Sequence, residues 1–191
     1  VVSVATDRKR IIIFEKAFHG STAAAVNITD NDKIKAPINA TFPVTFLPLN
    51  DTAAVEKELK KEDVAAVVVE GIQGIAGIYV PSPAFLEEIA VLCKKHGACL
   101  IMDEIQSGFG RSGNFFAFQR ANIQPDLITM AKGMGNGFPV GGVLIHPRFE
   151  ASYGLLGTTF GGNHLACVAG LAVLEVLGAE NLVGPAVAAG D

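Results

Sequence analysis

Short runs rich in β-branched residues alternate along this chain with stretches patterned like helices, and that alternation constrains the fold more than any other feature. Parallel neighbouring strands need a crossover of a dozen residues or more, usually a helix, so the pattern predicts βαβ units in a mainly parallel sheet. Candidate strands cover Arg10–Phe14, Val44–Leu47, 64–69, 98–102, Leu127–Met130 and Gly142–Ile145. Residues 51–61 read as a helix capped by Asp51, with Val55 and Leu59 four apart on one face. Ser82 offers a second cap, with Pro83 at the first helical position. Phe85, Ile89 and Leu92 then keep helical spacing until Lys94, Lys95, His96 and a stop at Gly97. The run 164–177 is apolar nearly all round and is expected to be a buried helix. The fold class is therefore α/β, with helices expected on both faces of the sheet in a three-layer α/β/α arrangement.

With 191 residues and half of them hydrophobic, the chain can bury a real core. Its net charge of −4 is mild, and no basic stripe carries interleaved aromatics, so nucleic acid is not an expected partner. The one membrane-like stretch, 151–174, has no Asp, Glu, Lys or Arg but is interrupted by Thr158, Thr159, Gly161, Gly162, Asn163 and His164. A polar, glycine-rich centre is wrong for hydrocarbon, so no membrane span is expected. Cys93, Cys99 and Cys167 are odd in number and lack metal-ligand spacing, which points to reduced, buried thiols and a cytoplasmic location. The opening residues, with neither an initiating Met nor a signal-like segment, suggest a fragment.

Two of the strands end in ionisable residues of opposite sign. One delivers Asp103 and Glu104, the other Lys132. Open α/β sheets place their ligands outside the carboxyl ends of the strands, so these ends are where chemistry is expected. Lys132 precedes Gly133, Gly135 and Gly137, which leave room for a ligand beside its amine. Asp103 follows four apolar residues, and a carboxylate buried there needs a cation. A lysine that forms a Schiff base with an aldehyde cofactor, and a carboxylate that keeps a pyridine nitrogen protonated, account for the pair. The bland alternatives are a surface lysine opening a loop and an aspartate capping a turn. Gln106 could donate to an oxygen on the ring, or be a plain loop amide.

The run Gly108, Phe109, Gly110, Arg111, Ser112, Gly113 matches the dinucleotide pattern GxGxxG. Its continuation, Asn114 and three aromatics within four residues, does not open an amphipathic helix, and no strand-ending acid appears about 20 residues on, as ribose binding requires. A nicotinamide-dependent oxidoreductase is thus disfavoured. His19, His96, His146 and His164 are scattered without ligand spacing, so no metal is expected.

With Lys132 and Asp103 in these settings, the chain resembles the class III aminotransferases that depend on pyridoxal phosphate. The likeness rests on five ordered segments spanning nearly the whole chain: Phe18-His19-Gly20, the Glu70 to Gly74 turn, Asp103 to Gly113, Lys132 to Pro139, and Gly157 to Asn163. It implies the large domain of the aspartate aminotransferase fold, fold type I. Within the class the chain looks nearest to the acetylornithine and succinylornithine enzymes. The resemblance implies Lys132 as Schiff-base lysine and proton shuttle, Asp103 as partner of the pyridinium nitrogen and Gln106 beside the phenolic oxygen. Phe18 would stack on the ring with His19 beside it, and Glu70 would be a supporting acid near the cofactor or substrate. Thr159 would reach the phosphate of the neighbouring subunit's cofactor, so a homodimer is implied.

The expected reaction is transamination between an N-acylornithine and 2-oxoglutarate in arginine biosynthesis, so the partners are an amino acid and a 2-oxo acid. Ornithine or another ω-amino acid as donor, and an inactive cofactor-binding remnant, are the alternatives. Three departures bear on the donor: Ile75 stands where many relatives have a second acid, Gly71 where proline is frequent, and Ser21 where an arginine often follows Phe-His-Gly. The resemblance makes residues 1–191 the central part of the large domain, without the small N-terminal and C-terminal domains, and weak or no activity is expected of this piece alone.

Overall fold

A computed structural model describes residues 1–189. In chain order the elements are α1 (Val2–Thr6), β1 (Arg10–Phe14), α2 (Ala23–Asn27), β2 (Val44–Leu47), α3 (Thr52–Leu59), β3 (Val64–Glu70), α4 (Pro83–His96), β4 (Cys99–Asp103), β5 (Leu127–Met130), β6 (Gly142–Ile145), α5 (His164–Ala179) and α6 (Val183–Ala188). The six strands form one sheet in the order β2-β1-β3-β4-β5-β6. The first five run parallel, and β6 pairs antiparallel with β5.

Local chemistry explains why the central βαβ unit forms where it does. Ser82 Oγ accepts a hydrogen bond from the Phe85 N–H at 3.1 Å, Pro83 begins α4, and Gly97 ends it at φ 67°. Asp51 caps α3 in the same way, accepting from Ala54 N–H at 2.9 Å. β3 lies at the centre, buried along its full length, and the alternation of its side chains divides the core in two. On one face Val64, Val67 and Val69 pack with Ile12, Phe14 and Leu100 beneath α3 and α4, which contribute Val55, Leu59, Leu86 and Ile89. On the other, Ile11, Ile13, Ala65, Ala66 and Val68 are covered by Val2 of α1 and by Ile28, Phe42 and Phe46. Helices on both faces make the expected three-layer α/β/α arrangement.

The strand order places the site. From β1 the chain goes to the edge as β2, then returns past β1 to become β3. The loops after β1 and β3 therefore diverge at the sheet's carboxyl rim, and such a reversal of order opens a crevice there.

Two expectations are corrected. The run 164–177 is helical within α5, but it is not buried: of its residues only Ala166 is, while Leu165 is 66% exposed and Val168, Leu171 and Leu174 are also open to solvent. An all-apolar helix has to be covered, but its composition does not say that the cover comes from the same stretch of chain. Cys167, carried on that helix, is exposed for the same reason, whereas Cys93 and Cys99 are buried thiols.

Leu86 is wholly buried beneath α4. Leu86→Ala is expected to lower the free energy of unfolding by about 3 kcal/mol, from lost transfer energy plus the cavity left behind. Ser82→Ala, which removes only the cap of the same helix, is expected to cost about 1 kcal/mol. Urea unfolding of the two variants beside wild type checks both values and their order.

Candidate active site

Each parallel strand from β1 to β5, except edge strand β2, hands one or more polar groups to the same rim. The loop after β1 brings Phe18, His19 and Gly20, while β3 ends in Glu70 and β4 in Asp103, followed by Ile105 and Gln106. Lys132 stands two residues past the end of β5. Side chains from all four segments line one recess of about 130 Å³: Phe18, His19, Glu70, Asp103, Gln106 and Lys132. Every one of the sequence-predicted site residues except Thr159 thus meets in a single place.

The electrostatics of the recess are set by two acids. Glu70 and Asp103 face each other as register partners across the β3–β4 pairing, and both side chains are buried. Asp103 Oδ2 lies 2.7 Å from His19 Nδ1, and Oδ1 accepts from the Ile105 N–H at 3.1 Å. A carboxylate only accepts, so Nδ1 carries the proton of that contact. Among the described residues His19 Nε2 is buried without a hydrogen-bond partner. Glu70 Oε1 accepts from the Phe18 N–H at 3.0 Å, which ties the aromatic residue to the end of β3. Burial pushes the Glu70 carboxyl above its usual range and the charge of Asp103 adds to that, while the Phe18 bond opposes it. A recess walled by two acids, with one imidazole between them, favours a cationic guest.

Lys132 supplies the amine. Its backbone lies in the left-handed region at φ 47°, a conformation that costs a lysine of order 1 kcal/mol or more and persists only where surrounding contacts hold it. Those contacts are here: the Met134 N–H donates to Ala131 O at 3.0 Å and the Gly135 N–H to Lys132 O at 3.1 Å, closing a 3₁₀ turn on the lysine. Among the described residues the amine makes no ion pair. Lys132 also borders an open groove of about 750 Å³ that includes Arg111, Asn136, Phe138 and Pro139. The recess and the open groove meet at this residue.

Thr159 lies elsewhere, in the exposed segment 151–165, and lines neither space. Ile75 is 60% exposed on the loop after β3. The GxGxxG run opens no long helix: it is followed by the 3₁₀ turn Ala117–Arg120. Among the described residues no three His, Cys, Asp or Glu side chains cluster as metal ligands, and no helix is long and apolar enough to cross a membrane. Sequence reasoning missed the Ile105 N–H as a ligand of Asp103, and it missed Glu104. A second acid at the same strand end was the available signal for the latter.

Comparison with known proteins agrees with this geometry. The class-III aminotransferase family model matches residues 1–191. The chain is 46% identical over 175 residues to the acetylornithine aminotransferase of Halalkalibacterium halodurans, covering 89% of this chain and 45% of that protein. It is 42% identical over 176 residues to the acetylornithine aminotransferase of Methanopyrus kandleri, covering 91% and 45%. Among solved structures, the ornithine aminotransferase from Toxoplasma gondii superposes with a TM-score of 0.85 at 30% identity, over 93% of this chain and 43% of that one. An S-selective transaminase from Arthrobacter sp. gives 0.84 at 25%, over 96% and 47%. The chain spans about half the length of the curated relatives it matches. A match along the whole chain, joined to an amine and a buried carboxylate at one rim of the sheet, shows that this chain belongs to the class-III aminotransferase family.

Proposed function

We propose that the protein to which this chain belongs is a pyridoxal-phosphate-dependent aminotransferase acting on an N-acylornithine and 2-oxoglutarate in arginine biosynthesis. The observation that carries this reading is the convergence of Asp103, Phe18 and Lys132 on one recess. The residues fit the cofactor's demands. Two buried carboxylates suit a protonated ring nitrogen, an aromatic side chain offers a stacking face, and a lysine amine stands at the mouth. A solved ornithine aminotransferase from Toxoplasma gondii, similar in fold, has pyridoxal phosphate at its active site. When bound, that cofactor supplies an electron-withdrawing ring that stabilises negative charge on the carbon beside the substrate's amine.

The chain's own residues have distinct parts in this reading. Asp103, held by His19 Nδ1 and the Ile105 N–H, is the carboxylate that would face the ring nitrogen and favour its protonated form. Lys132 would hold the cofactor through its amine and, with that amine free, would move the proton of the carbon that bears the donor's amino group. Phe18, fixed through its backbone by Glu70, would offer its ring as a stacking face, and Gln106 would donate to an oxygen on the cofactor. Thr159 is exposed and stands outside the recess, which supports its contribution to a neighbouring subunit's site in a homodimer. The acetylornithine names of the relatives support the donor, and absence of a carboxylate at exposed Ile75 leaves ornithine or another ω-amino acid as the second reading. The free thiols are in keeping with a cytoplasmic site of action. The chain would be the central part of the large domain, with the substrate's distal end read by residues outside it.

Treating the full-length protein with borohydride is expected to fix the cofactor covalently on Lys132. Lys132→Ala should show no such attachment and lose about 10²–10⁴-fold in turnover with N-acetylornithine, the range that a positioned proton-transfer group supplies. Cofactor still reduced onto the Lys132→Ala chain would sink the assignment. Comparing the single-turnover half-reaction with N-acetylornithine and with ornithine decides the donor.

The raised Glu70 carboxyl gives a second prediction. Its folded form keeps its proton to higher pH than the unfolded form, so its stabilisation is full below the ordinary carboxylate range and is lost as pH rises through the raised value. Glu70→Gln keeps an oxygen for the Phe18 N–H and cannot ionise. The cofactor-free variant should therefore unfold at higher urea than wild type at pH 7, the gap closing near pH 4. Parallel midpoints at both pH values would show that burial of Glu70 costs nothing.

A further inference from the structure

Directly after Asp103 stands an acid that the proposed chemistry does not use. Glu104 is wholly buried, with 0% of its surface exposed. A carboxylate there is expensive unless its oxygens are met by donors. All of them come from one loop: Ser107 Oγ donates to Oε2 at 2.6 Å, the Ala117 N–H to Oε2 at 3.0 Å, and the Phe118 N–H to Oε1 at 2.9 Å. The loop's beginning and its end are thus drawn onto a single side chain, and the GxGxxG run is the bend between them. Burial pushes the Glu104 carboxyl up, and these three donors work against that.

The same carboxylate reaches the loops on either side. Gly71, which follows Glu70 at the end of β3, sits so close that a Cβ there would lie 2.6 Å from Glu104 Oε1, 2.8 Å from Ser107 Oγ and 2.9 Å from Ala117 Cβ. Any side chain there would push the Glu104 carboxylate, Ser107 and Ala117 from these positions, so glycine at this departure from the family pattern suits the close packing. Arg120, at the loop's far end, donates to Gly71 O at 3.0 Å and Pro81 O at 2.6 Å and clamps that approach. On the opposite side Phe109 holds a left-handed backbone at φ 58°, packed on Phe115 with ring centroids 5.1 Å apart. A Cβ on Gly133, the neighbour of Lys132, would lie 3.2 Å from the Cβ of Phe109. The loops that carry Glu70, Gln106 and Lys132 are therefore packed, in that order, onto one scaffold closed by Glu104.

We propose that Glu104 is a positioning residue: its buried carboxylate folds the 104–118 loop into the shape that sets Gln106 over the recess and Lys132 at its mouth, touching neither cofactor nor substrate. The inference rests on the cofactor reading above. It also assigns a structural job to the GxGxxG run, to which the resemblance gives no part in the chemistry.

The test uses the full-length protein and pyridoxal phosphate itself. In Glu104→Gln the new amide can keep an oxygen toward Phe118 and offer its NH₂ to Ser107 Oγ, but the Ala117 N–H then faces a donor. One unmet buried donor should weaken cofactor binding about ten-fold in a fluorescence titration. The pH at which the absorption band of the bound cofactor titrates should shift too, because Lys132 and Gln106 move. Ser107→Ala, which removes one of the three bonds, should weaken binding about three-fold in the same direction. Leu86→Ala, destabilised away from the recess, should leave both readouts at wild-type values, so lost stability alone does not mimic the effect. Wild-type affinity and titration midpoint in a folded Glu104→Gln protein overturn the proposal; if that variant does not fold, unchanged values in Ser107→Ala overturn it. Failure of the wild-type protein to take up cofactor overturns the underlying function instead.

Discussion

Two carboxylates side by side inside a protein repel each other and lose their water, and the carboxyl rim of this sheet is arranged around that cost. Glu70 and Asp103 are register partners on the central strands, so neither can turn away from the other without breaking the β3–β4 ladder. One is answered by a backbone N–H from the loop after β1, the other by an imidazole from the same loop. The β1 loop is therefore not an independent appendage: its path over the rim is dictated by the acids it satisfies. What remains uncompensated is a concentration of negative charge facing the recess, and this turns a generic α/β crevice into a selective one.

Much of this was legible in the sequence because it is written locally. The six strands lie within a residue of their expected positions, since β-branched runs bounded by polar turns have few other ways to fold. The Ser82, Pro83 and Gly97 signals fixed α4 to the residue, because a cap involves only atoms three or four positions apart. Asp103 and Lys132 stand out by strand-end position and Phe18 by the family likeness, and all three line one recess. Nothing local, by contrast, reveals that His19 contacts Asp103, 84 positions away, or that Glu104 is satisfied by N–H groups 13 and 14 residues ahead. Those contacts depend on loop paths, and loop paths depend on the charges they neutralise.

The exposure of α5 was illegible for a different reason. Its sequence specifies that it be covered, and the expectation of burial assumed that the cover lay within the same stretch of chain. Where α5 nears its own chain, a Cβ on Gly170 would lie 3.8 Å from Met134 O, and one on Gly110 3.8 Å from Leu177 Cδ2. Leu165, Val168 and Leu171 are left facing outward. A chain that spans about half of its relatives' length has room elsewhere for what covers them.

The antiparallel turn from β5 into β6 determines how far the amine of Lys132 can travel. Met130 pairs with Gly142 and Leu127 with Ile145, so the segment bearing the lysine leaves and re-enters the sheet through adjacent, hydrogen-bonded neighbours. Its base is pinned at both feet, as in a short arch. Such an arch can tilt little, and displacement at its crown must come from rotations about the four-carbon stem of the side chain. The stem length then sets the reach of that amine, and a shorter amine on the same arch would end farther from the recess however well the backbone held its place.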